Sequence, residues 1–94
     1  MPKSIISDTS VLIVLERIGE LNLLREVFGK VYITDEIKSE YRQAVPEWII
    51  IVSVKNKSKI AELNNLMDLG EASAIALALE LDDSYLIVDD IQAR

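Results

Sequence analysis

Four short apolar segments constrain this chain more than anything else in it: KSIIS (3–7), VYIT (31–34), WIIIVSV (48–54) and YLIV (85–88). All are of strand length, and none keeps the apolar–polar alternation of a strand with one wet face. A strand apolar on both faces must be covered on both faces. The stretches between them supply the cover, because their apolar residues recur at helical spacing. Asp8 is followed by Thr9 and Ser10, either of which can cap a helix over Val11, Leu12, Leu15 and Ile18, ended by Gly19. Leu21, Leu24 and Phe28 mark a second helix before Gly29.

Thr34 caps a third helix, with Asp35 and Glu36 in its first turn and Ile37, Tyr41 and Ala44 on one face, closed by Pro46. Ile60, Leu63 and Met67 mark a fourth. Gly70 then breaks the chain before EASAIALALEL, whose alanine and leucine content predicts the most regular helix of all, with Ile75, Ala78 and Leu79 turned to the sheet. Strands and helices that alternate in this way predict one three-layer α/β domain over residues 1–94, built on a central parallel sheet.

Composition narrows the chemistry. With no cysteine there is no disulfide, thiolate zinc site or cysteine nucleophile, and with no histidine there is no Ser-His-Asp triad. Any catalysis rests on carboxylates, hydroxyls, lysines or a hard metal ion. No apolar run is long enough to span a membrane. The opening residues do not read as a secretory signal, so a cytoplasmic setting is expected. The net charge of −6 argues against non-specific affinity for nucleic acid, unless several acids share a metal ion. Discounting Asp8, Glu40, Glu71, Asp89 and Asp90 brings the balance close to neutral.

In open parallel sheets, ligands sit beyond the carboxyl ends of the strands. Asp8 ends the first strand, Asp89 and Asp90 end the fourth, Glu40 follows the second, and Glu71 opens the long helix. Each acid also has a plainer reading. Asp8 and Glu71 suit helix N-termini, Glu40 can pair with a basic neighbour in solvent, and Asp89 and Asp90 can open a polar turn. Four segments that deliver acids to one rim are harder to explain that way, because clustered carboxylates repel unless cations compensate. Oxygen ligands without histidine suit Mg²⁺ or Mn²⁺. The remaining acids fit helix ends, solvated faces and turns. The lysine-rich KNKSK (55–59) reads as a soluble loop more readily than as a phosphate contact, and Trp48 reads as packing rather than as a base-stacking platform.

In order, ISDTSVLIVL, YITDEIKSEY, LGEASAIALA and LIVDDIQAR resemble the four acidic motifs of the PIN-domain family, and the resemblance runs along the whole chain. The GEASAIALA and DDIQAR forms are closer to a PIN subfamily of largely unassigned function than to the VapC toxins. The resemblance implies a metal-dependent ribonuclease fold with strand order 3-2-1-4-5, here with the fifth strand and the usual C-terminal part missing. Motif by motif, Asp8 is the first acid, Glu40 the second, Glu71 the third in place of aspartate, and Asp90 the fourth. Asp89 falls where many relatives carry asparagine.

Catalytic roles are thus implied for Asp8, Glu40, Glu71 and Asp90, and metal binding for Asp8, Glu71, Asp90 and Asp89. Thr9 and Ser10 match hydroxyl positions near the metal. The implied cofactor is Mg²⁺ or Mn²⁺. The implied partners are an RNA substrate, a second copy of the chain and, for a toxin, an antitoxin protein. Two rivals remain. A haloacid dehalogenase-like phosphatase also begins with a strand and an aspartate, but it needs a second acid two residues on, where this chain has Ser10. A PIN-fold module that binds partners without cleaving them would carry the same motifs.

Overall fold

A computed structural model of the chain describes residues 4–88. Its elements follow the order β1 (Ser4–Ser7), α1 (Thr9–Arg17), α2 (Asn22–Phe28), β2 (Val31–Thr34), α3 (Asp35–Tyr41), β3 (Ile49–Val52), α4 (Lys57–Leu63), α5 (Leu69–Glu80) and β4 (Ser84–Ile87). The four strands form one all-parallel sheet in the order β3-β2-β1-β4. Ser4 to Ser7 pair with Ser84 to Ile87 in register, and Val31 to Thr34 pair with Ile49 to Val52. The path steps from β1 to β2 to β3 in one direction and then returns to place β4 on the other side of β1. The strand order therefore reverses between β1 and β4, and a crevice is expected beyond their carboxyl ends.

The core follows from this layering. Ile5, Ile6, Val31, Ile33 and Ile49 supply the sheet, and Leu12, Leu24, Ile37, Ile60 and Leu77 come from the helices packed around it. Helix α5 buries Gly70, Ala72, Ser73, Ala74, Ala76 and Leu77 and packs against α3, α4 and three of the strands. Small side chains suit a helix enclosed on several sides, because they permit close approach and lose little rotamer freedom on burial. Burial, followed by the nearby negative charge of Glu16, raises the pKa of the Tyr41 phenol above its ordinary value.

Several element ends differ from the sequence expectation. Asp8 itself, rather than Thr9 or Ser10, is the N-cap of α1. Helix α3 stops at Tyr41, where Arg42 turns left-handed (φ 68°) and donates its backbone N–H to the Lys38 carbonyl. The chain therefore leaves the helix before Pro46 can end it, and Ala44 is exposed outside the helix. Gly70 does not precede α5 but lies in its first turn, because Asp68 caps the helix one residue ahead of Leu69. The inward face of α5 also differs. Leu79 is 67% exposed and Ile75 and Ala78 are half-buried, whereas Ser73, Ala76 and Leu77 are among the buried residues. The enclosed helix has so little contrast between its faces that spacing alone misassigns them.

Candidate active site

The site begins where β1 ends. The Asp8 N–H donates to the Ile87 carbonyl at 3.1 Å, which carries the β1–β4 ladder one residue past the strand. Extended backbone at Asp8 (φ −85°, ψ 175°) then turns its side chain back over α1, where Oδ1 accepts the Val11 N–H at 3.0 Å. Asp8 is only 7% exposed. A carboxylate this buried is tolerable because it faces the positive end of a helix and accepts one of its unpaired amides.

Glu40 lies near the end of α3 and reaches across to two other elements. Its Oε1 accepts the Thr9 hydroxyl at 2.6 Å, and its Oε2 accepts the Gly70 N–H at 3.0 Å. Glu71 stands next to Gly70 and is half-buried, and its N–H donates to the Asp68 carboxylate at 2.8 Å. Together Asp8, Thr9, Ser10, Glu40, Asp68 and Glu71 line one cleft of about 270 Å³. The fold thus brings Asp8, Thr9, Ser10, Glu40 and Glu71 together at the carboxyl end of the sheet. It adds Asp68, which the sequence reading missed. The signal for Asp68 was present as an aspartate three residues before Glu71, the spacing of a capping box ahead of an apolar run.

Asp89 and Asp90 lie outside the described residues. Among the described residues, no group of three or more acidic side chains is placed to hold a metal ion by itself. The contacts explain why: Glu40 is turned towards Thr9 and Gly70, and Asp68 towards the amide of Glu71. The chemistry of the cleft nonetheless suits a hard cation. Among the described residues its lining offers carboxylates and hydroxyls with no lysine or arginine, a donor set that Mg²⁺ and Mn²⁺ favour.

Two other features of the sequence fall elsewhere. Of the lysines in KNKSK, Lys57 pairs with Glu36 at 3.3 Å and Lys59 with Glu62 at 3.1 Å, so both meet carboxylates of their own chain. Trp48 lines a larger, open depression of about 720 Å³ with Arg25, Lys30, Pro46, Glu47 and Ile50. That depression lies at the amino ends of β2 and β3, the end of the sheet opposite Asp8, and it carries a single carboxylate.

A parallel sheet in this order, with an acid-lined cleft where the order reverses, defines the α/β class to which the protein belongs. The family model described as DUF3368, a PIN domain, matches residues 4–94, and the chain belongs to that family. No curated protein and no solved structure matches the chain.

Proposed function

We propose that the chain is a metal-dependent ribonuclease of the PIN type that hydrolyses RNA phosphodiesters with water activated among its clustered carboxylates. One observation carries this reading: acids from three separate elements, with two adjacent hydroxyls, line a single cleft that no lysine or arginine among the described residues lines. Asp8 and Glu71, with Asp90 and Asp89 as the motif resemblance implies, are the proposed metal ligands. Bound Mg²⁺ or Mn²⁺ lowers the pKa of water and offsets charge on the phosphate. Asp8 brings a carboxylate already fixed by its capping bond, so little order has to be gained when it acts. The Thr9 hydroxyl is committed to Glu40, which leaves the exposed Ser10 at the cleft to meet a phosphate oxygen. Glu40 flanks the proposed ligands with both oxygens engaged inside the fold. A second copy of the chain as partner, an antitoxin protein for a toxin role, and a cytoplasmic setting belong to the same reading.

The bonds that hold Glu40 and Asp68 favour one alternative, a PIN-fold module that binds partners without cleaving RNA. Calorimetric titration with Mn²⁺, alongside cleavage of single-stranded RNA with and without chelator, separates the two. The nuclease reading expects saturable Mn²⁺ binding and cleavage that the chelator abolishes. Binding without cleavage favours the module, and the absence of both ends the metal-dependent reading.

A further inference from the structure

We infer that Glu40 is a positioning residue: it latches the start of α1 to the first turn of α5 and thereby sets the separation between Asp8 and Glu71. The inference rests on the nuclease reading for its purpose and on two hydrogen bonds for its geometry. Both oxygens of Glu40 are used, one by the Thr9 hydroxyl at 2.6 Å and the other by the Gly70 N–H at 3.0 Å. Thr9 is the neighbour of Asp8, and Gly70 is the neighbour of Glu71. One carboxylate on α3 therefore grips the residue beside each of the two acids that face the cleft from different elements.

Gly70 fits the latch for want of a side chain. A Cβ at that position would stand 2.2 Å from Glu40 Oε1, 2.9 Å from its Cδ and 3.0 Å from Thr9 Oγ1. Glycine inside a helix is about 1 kcal/mol less favourable than alanine, so its place in the first turn of α5 needs a reason. The close approach of Glu40 is that reason. A second tie supports the same turn from the other end of α3. Ser73 donates its hydroxyl to the Gly70 carbonyl at 2.7 Å, which spends its single proton. The buried 2.6 Å contact between Thr34 and Ser73 therefore has Thr34 as donor, while Thr34 Oγ1 accepts the Ile37 N–H at 3.0 Å. The first turn of α5 is thus bonded to both ends of α3, and only the tie through Glu40 extends on to the residue beside Asp8.

The latch predicts a difference between two substitutions that a ligand role does not. In Glu40→Gln, the side-chain carbonyl still accepts the Gly70 N–H and the amide donates to Thr9 Oγ1, so the geometry survives without the charge. In Glu40→Ala, both ties are lost. Mn²⁺ affinity, followed by calorimetry, should stay within about threefold of the parent in Glu40→Gln and fall about 10–100-fold in Glu40→Ala, the range for groups that orient metal ligands. Thr9→Val removes one tie without a clash and should fall between them, while Gly70→Ala drives a Cβ into Glu40 and should resemble Glu40→Ala. An equal loss in Glu40→Gln and Glu40→Ala makes Glu40 a ligand and overturns the inference.

A metal-free readout keeps the latch separate from the nuclease reading. Crystal structures should show the separation between the Asp8 and Glu71 carboxyls preserved in Glu40→Gln and changed in Glu40→Ala. An unchanged separation in Glu40→Ala overturns the inference whether or not the chain binds metal, whereas a parent that binds no Mn²⁺ counts against the nuclease reading alone.

Discussion

At the scale of single residues, acids of the cleft hold the fold together, and this duty can be separated from the proposed metal-binding one. Asp8 caps α1 through Val11, and Asp68 caps α5 through Glu71. Asparagine caps a helix about as well as aspartate, whereas replacing a cap with alanine costs about 1 kcal/mol. Asp8→Asn should therefore unfold at the parent midpoint or slightly above it, since one of several crowded anions is gone, and should lose Mn²⁺-dependent RNA cleavage. Asp8→Ala should lose cleavage and about 1 kcal/mol of stability as well. Denaturant melts and a cleavage assay on both variants check this, and undiminished cleavage by Asp8→Asn would reduce Asp8 to a structural cap. Asp8, Glu40 and Glu71 stand out in the sequence as cleft residues because each falls in an acidic motif, and Asp8 also follows a strand while Glu71 stands in the first turn of a helix. Asp68 was not picked out, since a cap just ahead of a glycine looks like part of a turn. The pairing of Thr9 with Glu40 was beyond sequence reasoning altogether, because it joins residues 31 apart through the packing of α1 on α3.

At the scale of elements, the order of strands and helices was legible from apolar spacing, and the ends were not. Helix α3 ends at Arg42 in a left-handed conformation that arginine does not announce. The clearest case is the junction after β3, where Glu80 at the end of α5 reaches the loop that leads into α4. Its two oxygens accept the Lys55 N–H at 3.1 Å and the Asn56 N–H at 2.8 Å, and Asn56 in turn caps α4. The Asn56 hydrogen bond foremost, then the Lys55 one and the charges of Lys55 and Lys57, hold the Glu80 carboxyl below the ordinary carboxylate range against a partial opposing effect of burial. A carboxyl lowered in the folded state stabilises above its unfolded pKa and stops stabilising as pH falls through the folded one. Glu80→Gln should therefore cost about 0.5 kcal/mol at neutral pH, a figure kept small by exposure to solvent. The difference from the parent should shrink as pH falls below about 4. Urea melts at both pH values test it, and a gap that widens in acid would contradict it.

At the scale of the whole molecule, the sheet itself argues for a partner. Among the described residues β4 ends the sheet at one side, and its chain carries Tyr85 at 61% and Val88 at 43% exposure. A strand at the end of a parallel sheet presents unpaired backbone groups along its free side, and proteins usually protect such edges with lysine, proline or a covering element. Neither lysine nor proline occurs in Ser84–Ile87. Apolar side chains are exposed on the helices too, with Ile18 and Val27 each at 63%. Pairing along β4 would satisfy backbone groups and cover apolar surface together, while pairing through the helices would cover apolar surface alone. We therefore expect a homodimer at micromolar concentration with β4 in its interface. Tyr85→Lys, which places a charge on that edge, should shift sedimentation towards the monomer, and Ile18→Lys should leave the dimer intact. Dissociation by Ile18→Lys alone would move the interface to the helices, and a parent that sediments as a stable monomer would remove the dimer from the proposal.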